Sequence, residues 1–205
     1  WQQRGVVPFL KVDKGLLDNA DHVQLMKPMP GLDTLLARAK NLAVFGTKMR
    51  SVIHAANHNG IRKIVEQQFK VGAQIIAHGL MPILEPEITI TISDKEEAET
   101  ILHAALLQHL DNLPSKQRVM LKLTLPEVAN HYRELCQHPR VLSVVALSGG
   151  YSRSEAIERL AKNTSMIASF SRALTEGLIA QSSDAEFDQA LSQTIDSIYQ
   201  ASISG

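Results

Sequence analysis

Along the 205 residues, short apolar runs alternate with longer segments whose apolar residues recur at spacings of three and four. The runs are VVPFLKV (6–12), AVFGTKM (43–49), LMPILEP (80–86), RVMLKLT (118–124), VLSVVAL (141–147) and SMIASFS (165–171). Each has the length of a strand. Between them stand GLDTLLARAKNLA, NGIRKIVEQQFKVGAQIIAHG, SDKEEAETILHAALLQHLDNL, PEVANHYRELCQH and SRSEAIERLAKN. Their period predicts a helix in each, with Ser93 and Glu96 as a capping box at the start of the third. The tail, SSDAEFDQALSQTIDSIYQAS, reads as a closing amphipathic helix that starts at Ser183 or Asp184.

Strands that are apolar on both faces and alternate with helices predict an α/β fold, a parallel sheet covered by helices. A doubly wound open sheet and a (β/α)8 barrel both accommodate this pattern. No Gly-rich phosphate fingerprint follows an early strand, which argues against a dinucleotide fold. The length suits a single domain, 1–205. Six strands are two short of a barrel, and the first residue is Trp1. If the fold is a barrel, its N-terminal part is therefore expected to be missing from this sequence.

Composition narrows the partners. The 21 basic and 21 acidic residues cancel, so no basic field favours nucleic acid and no polybasic patch favours a lipid surface. The longest apolar runs fall far short of the roughly 20 residues that span a bilayer. Cys136 stands alone, which leaves no disulfide framework within the chain and makes a reducing, cytoplasmic compartment the expectation. A small molecule is the expected partner, and a homo-oligomer is compatible with the sequence.

The charges that interrupt the strands carry the chemistry. Residues two apart on a strand share a face. Lys11 with Asp13, Lys48 with Arg50, and Glu85 with Glu87 have that spacing near strand C-terminal ends, and Lys122 interrupts a fourth apolar strand. In parallel α/β folds those ends surround the ligand site, so the four strands are expected to converge on one polar cavity. Any one pair alone reads as a solvated strand end. Four together are harder to leave unpartnered, because buried unpaired charge costs several kcal/mol.

Lys11, Lys48, Arg50 and Arg172 outnumber the carboxylates, which suits an anionic ligand such as a sugar phosphate. Ser148, Gly149 and Gly150 follow the strand at 141–147 and could present backbone N–H groups to a phosphate. A lysine in a dry pocket beside other cations has its ammonium form disfavoured, and the free amine can attack a carbonyl. That gives Lys122 a role as a nucleophile, with Lys48 as its cationic neighbour and Glu85 and Glu87 moving protons. The plainer reading is a lysine that snorkels to the rim or serves as a counter-ion of Glu87.

VVPFLKVDKG, GTKMRSVI, MPILEPEI, LKLTLPE, ALSGGYS and SFSRALTEGL, in that order, resemble the class I (Schiff-base) fructose-1,6-bisphosphate aldolases, specifically their bacterial branch. The resemblance covers nearly the whole chain. It implies a (β/α)8 TIM barrel, of which this chain supplies about six strands, and a reaction that needs neither metal nor cofactor. It implies that Lys122 forms the Schiff base with the ketose, that Glu85 accepts and donates protons around it, and that Glu87 assists. Lys48 resembles the second active-site lysine, Arg50 a sugar-phosphate ligand and Lys11 the lysine behind the scissile bond. Ser148, Gly149, Ser169 and Arg172 match the positions that hold the phosphate of dihydroxyacetone phosphate.

The chain departs from the family pattern at Leu123 and Thr124, where animal members have proline and asparagine, at Met49, and at Phe170 and Ser171. Tyr199 has no secure counterpart. Family members run to about 300 residues and open with two strands ahead of the first one here, so an open remnant with exposed edges and poor stability is expected. Other readings are another Schiff-base sugar-phosphate aldolase or transaldolase, a sugar-phosphate-binding fragment without turnover, and a metal-dependent aldolase using His54 and His58.

Overall fold

The computed structural model describes residues 2–204. A parallel sheet is built from β1 (Phe9–Lys11), β3 (Gly46–Ile53), β4 (Met81–Ile88), β5 (Val119–Thr124), β6 (Val141–Leu147) and β7 (Met166–Ala168) in sequence order, and β2 (Val23–Gln24) pairs antiparallel with β3. The helices are α1 (Leu32–Asn41), α2 (His58–Ala77), α3 (Lys95–Asp111), α4 (Arg133–Gln137), α5 (Arg153–Ala161), α6 (Arg172–Thr175) and α7 (Asp184–Ser204). All six anticipated strands are present, and β1 and β7 form the two edges of an open arc.

Alternation along the strands sorts their two faces. Met49, Ile53, Leu84, Ile88, Leu121 and Leu123 are fully or nearly fully buried and belong to the core that the helices cover. α2 supplies Ile61, Ile64, Val65, Phe69 and Ile75 to that core, and its buried Gln68 donates to the Ser51 hydroxyl at 2.6 Å. The opposite face carries Lys48, Arg50, Glu85, Glu87, Met120 and Lys122.

Register turns this alternation into layers. Lys11 lies beside Lys48, Lys48 beside Ile83, and Ile83 beside Met120. Two residues further along, Arg50 lies beside Glu85, and Lys122 beside Val145. Layers of inward side chains from parallel strands fill a β/α barrel interior. Between β5 and β6 the register slips by one residue, as Val119 pairs Val141 but Met120 pairs Ser143, leaving Leu142 as an exposed bulge.

Three local expectations are corrected. The Ser93–Glu96 capping box does not form: Asp94 is the N-cap of α3, and its carboxylate accepts instead from the Ala56 N–H at 2.7 Å. The helix expected over 126–138 shrinks to α4, because the backbone before it is tied elsewhere. Lys95 takes the Leu125 carbonyl, Glu99 takes the Glu127 N–H, and Asn130 sits at φ 64°. The strand expected over 165–171 ends at Ala168, whose N–H turns to the Ser202 hydroxyl on α7. The closing helix does carry a capping box, as Ser183 and Glu186 bond reciprocally at 2.9 and 3.4 Å.

Candidate active site

The four strands converge as their charges anticipated. The Glu85 carboxylate, on β4 and 5% exposed, stands between two ammonium groups: Lys122 Nζ on β5 at 2.9 Å from one oxygen and Lys48 Nζ on β3 at 2.8 Å from the other. Lys48 Nζ also lies 4.0 Å from Asp13, whose other oxygen is 2.6 Å from Lys11 Nζ. Arg50 Nε pairs with Glu87. Lys122 is thus the partner of Glu85, not the counter-ion of Glu87.

This cluster is buried but incompletely satisfied. Both ammonium contacts to Glu85 are close ion pairs rather than hydrogen bonds, Oε1 facing Lys122 and Oε2 facing Lys48. The side chains of Lys48 and Lys122 are 20% and 17% exposed, which leaves their amines open to the cavity. Four cations, Lys11, Lys48, Arg50 and Lys122, face three carboxylates, Asp13, Glu85 and Glu87. The surplus is positive, as an anionic ligand needs.

Asp13 was noted in the sequence only as the companion of Lys11. The structure makes it a member of the site: it is buried, and its carboxylate accepts from the backbone N–H groups of Arg50 at 3.3 Å and Gly15 at 3.4 Å besides its lysines. The KxD spacing was the available signal, but its partners lie on β3, 37 residues away.

The phosphate candidates form a second group at the same strand ends. Ser148 follows β6, is buried, and accepts the Tyr151 N–H at 2.9 Å in a tight turn. Gly149 and Gly150 adopt φ of 62° and 117° there, which L-residues rarely reach. A side chain at Gly149 would come within 2.7 Å of Ile90, and one at Gly150 would lie 3.9 Å from an Arg172 terminal nitrogen. Arg172, at the start of α6, therefore overhangs the glycine turn, and it has no ion-pair partner among the described residues. Ser169 continues the sheet by donating its N–H to Ala146 at 2.8 Å. The turn stands one step beyond Thr124, which shares a strand face with Lys122.

His54 and His58 are not a ligand pair. His54, just past β3, uses both ring nitrogens, on Gln24 at 2.9 Å and Thr89 at 3.1 Å, while His58 is exposed at the first position of α2. A concavity of about 820 Å³ opens at the other pole of the strands, lined by Val6, Pro8, Phe45, Met81 and Arg118. It shares no residue with the charged cluster.

Fold and cluster together define a β/α barrel protein with strand-borne lysines flanking a buried carboxylate. No family model matches the chain. Comparison with characterised proteins shows 59% identity over 203 residues to a fructose-bisphosphate aldolase class 1 from Synechocystis, covering 99% of this chain and 68% of that one. A protein of the same name from Porphyromonas gingivalis is 57% identical over 203 residues, covering 99% and 69%. A crystal structure of fructose-bisphosphate aldolase from Plasmodium falciparum, in complex with TRAP and a small-molecule inhibitor, matches with a TM-score of 0.74 at 18% identity, over 99% of this chain and 70% of that one. That likeness concerns the fold, of which this chain presents a partial barrel. The chain belongs to the class 1 fructose-bisphosphate aldolases, a family of lyases.

Proposed function

We propose that the chain catalyses the reversible cleavage of fructose 1,6-bisphosphate into dihydroxyacetone phosphate and glyceraldehyde 3-phosphate, with Lys122 as the nucleophile. The Lys122 amine adds to the ketose C2 carbonyl, and loss of water leaves a protonated imine. The C4 hydroxyl gives up its proton as the C3–C4 bond breaks, and the electron pair of that bond moves into the imine to form an enamine. Protonation at C3 and hydrolysis then release dihydroxyacetone phosphate and the free lysine.

The observation that carries this reading is the buried Glu85 carboxylate, with one oxygen 2.9 Å from the Lys122 amine and the other 2.8 Å from that of Lys48. It can take the proton that leaves the attacking amine and return it to the departing hydroxyl. Glu87 holds Arg50 by its Nε and so presents the rest of the guanidinium to the cavity. Arg50 and Lys11 would receive one phosphate; Ser148, Gly149, Ser169 and Arg172 would receive the other. The partners are sugar phosphates. No described helix is long and apolar enough to cross a membrane, and a cytoplasmic setting suits these substrates.

Borohydride reduction in the presence of dihydroxyacetone phosphate, followed by peptide mass mapping, tests the assignment. A stable adduct on Lys122 is expected. An adduct on another lysine, or none with protein that turns over substrate, would sink the mechanism.

A further inference from the structure

The turn that carries Ser148 and Gly149 ends in Tyr151, and Tyr151 is fastened from outside the charged cluster. Its hydroxyl donates to Glu127 Oε1 at 3.1 Å, and its ring lies 4.3 Å beneath the Arg159 guanidinium. Arg159 is itself paired to the other Glu127 oxygen at 3.2 Å and to Glu155 at 3.2 Å. Glu127 belongs to the Leu125–Glu127 segment that directly follows Lys122's strand.

That segment is pinned in turn by α3. Lys95, almost wholly buried, spends its ammonium on Glu99, on the Leu125 carbonyl at 2.9 Å and on Glu127 at 3.0 Å. Glu99, fully buried, accepts the Glu127 N–H at 3.0 Å. The ammonium donates to Glu99 and to the Leu125 carbonyl and lies in a close ion pair with Glu127, so the strand exit is held at three points. The Tyr151 hydroxyl links this pinned segment to the glycine turn.

We propose that Tyr151 is a positioning residue for the phosphate cradle: through Glu127 it holds the Ser148–Gly150 turn in register with the strand that bears Lys122. The turn needs such an anchor, because two successive glycines at positive φ have access to many other conformations. A cradle fixed before the ligand arrives binds without first having to be ordered. This rests on the reading that the turn holds a substrate phosphate.

The test is Tyr151→Phe, which keeps the ring under Arg159 and removes only the hydroxyl. KM for fructose 1,6-bisphosphate and Ki for inorganic phosphate should both rise about threefold to tenfold, the worth of one hydrogen bond. Because the same phosphate is held in ground and transition states, kcat should stay within about twofold. Melting temperature and borohydride titration of the reactive lysine should match the parent protein, which separates a misplaced cradle from a misfolded one. Arg172→Ala, assayed in parallel, tests the cradle itself. A raised KM in Arg172→Ala with no change in Tyr151→Phe overturns the latch alone. No change in Arg172→Ala overturns the cradle reading, and the latch with it.

Discussion

Two groups of buried charge lie at the C-terminal ends of the same strands, and they are finished to different degrees. Around Glu85, two ammonium groups approach one carboxylate as ion pairs rather than hydrogen bonds, and both lysine side chains keep some exposure. Around Lys95, the ammonium makes two hydrogen bonds and one further ion pair, Glu99 is fully buried, and the ions continue through Glu127 to Arg159. In the second group hydrogen bonds reinforce the ion pairs and offset the cost of desolvating charge. In the first the ion pairs stand without them and open to the cavity, which is the arrangement the proposed reaction would use. The open cluster reads as chemistry and the closed one as scaffold.

Removing the proposed proton carrier from the open cluster should have the largest effect. Glu85→Gln is expected to lower kcat by about 10²–10⁴-fold, the range of general acid–base catalysis, with little loss of cooperativity in unfolding. Steady-state kinetics with a parallel melt would check this. A loss of activity that merely tracked a loss of folded protein would assign Glu85 to the scaffold instead.

The closed cluster should answer in stability. Lys95→Met strands the Glu99 carboxylate in the core and should cost about 3–5 kcal/mol in urea unfolding, as broken buried pairs do. Adding Glu99→Leu should return much of that loss, because a fully apolar replacement removes the orphan charge. If the double variant is no better than the single one, Lys95 acts mainly through the Leu125 carbonyl rather than through its ion pair.

Smaller effects come from pH. Burial, with the neighbouring His131 charge, pushes His103 below its ordinary 6.5, despite Glu134 at 3.6 Å. The unfolded chain therefore binds the proton first, and stability should start to fall as pH drops through about 6.5. For Glu127, burial is outweighed by hydrogen bonding and charge from Lys95, and then by Arg159 and Tyr151, so its carboxyl lies below the ordinary 4.5. Its contribution is present above 4.5 and is lost as pH falls through the lowered value. Melting temperatures from pH 8 to about 2 should show both stages, and His103→Phe should flatten the first alone. A first stage that survives this substitution belongs to another group.

The open cluster was largely legible in the chain. Period-2 spacing places Lys48 with Arg50 and Glu85 with Glu87 on one face whatever the rest of the fold does, and an isolated Lys122 among apolar residues has few explanations. The closed cluster was not. Lys95 and Glu99 have the i,i+4 spacing of an ordinary helix-surface pair, and the return of the chain at Leu125 and Glu127 bonds to both. The β2 hairpin escaped for a related reason. Its turn is Asp21-His22, both at positive φ, where a glycine would have announced it.

By itself, then, the sequence determined the strand–helix alternation, the side of each strand that bears charge, and the family. These depend on local period and residue type, which the chain carries within a few positions. The tertiary structure decided which charge meets which: that Lys122 faces Glu85 rather than Glu87, that Asp13 joins them, and that Tyr151 ties the glycine turn to the exit of Lys122's strand. Such contacts depend on strand register and on chain returns tens of residues apart, and an interaction between charges is set by distance and burial rather than by separation along the chain.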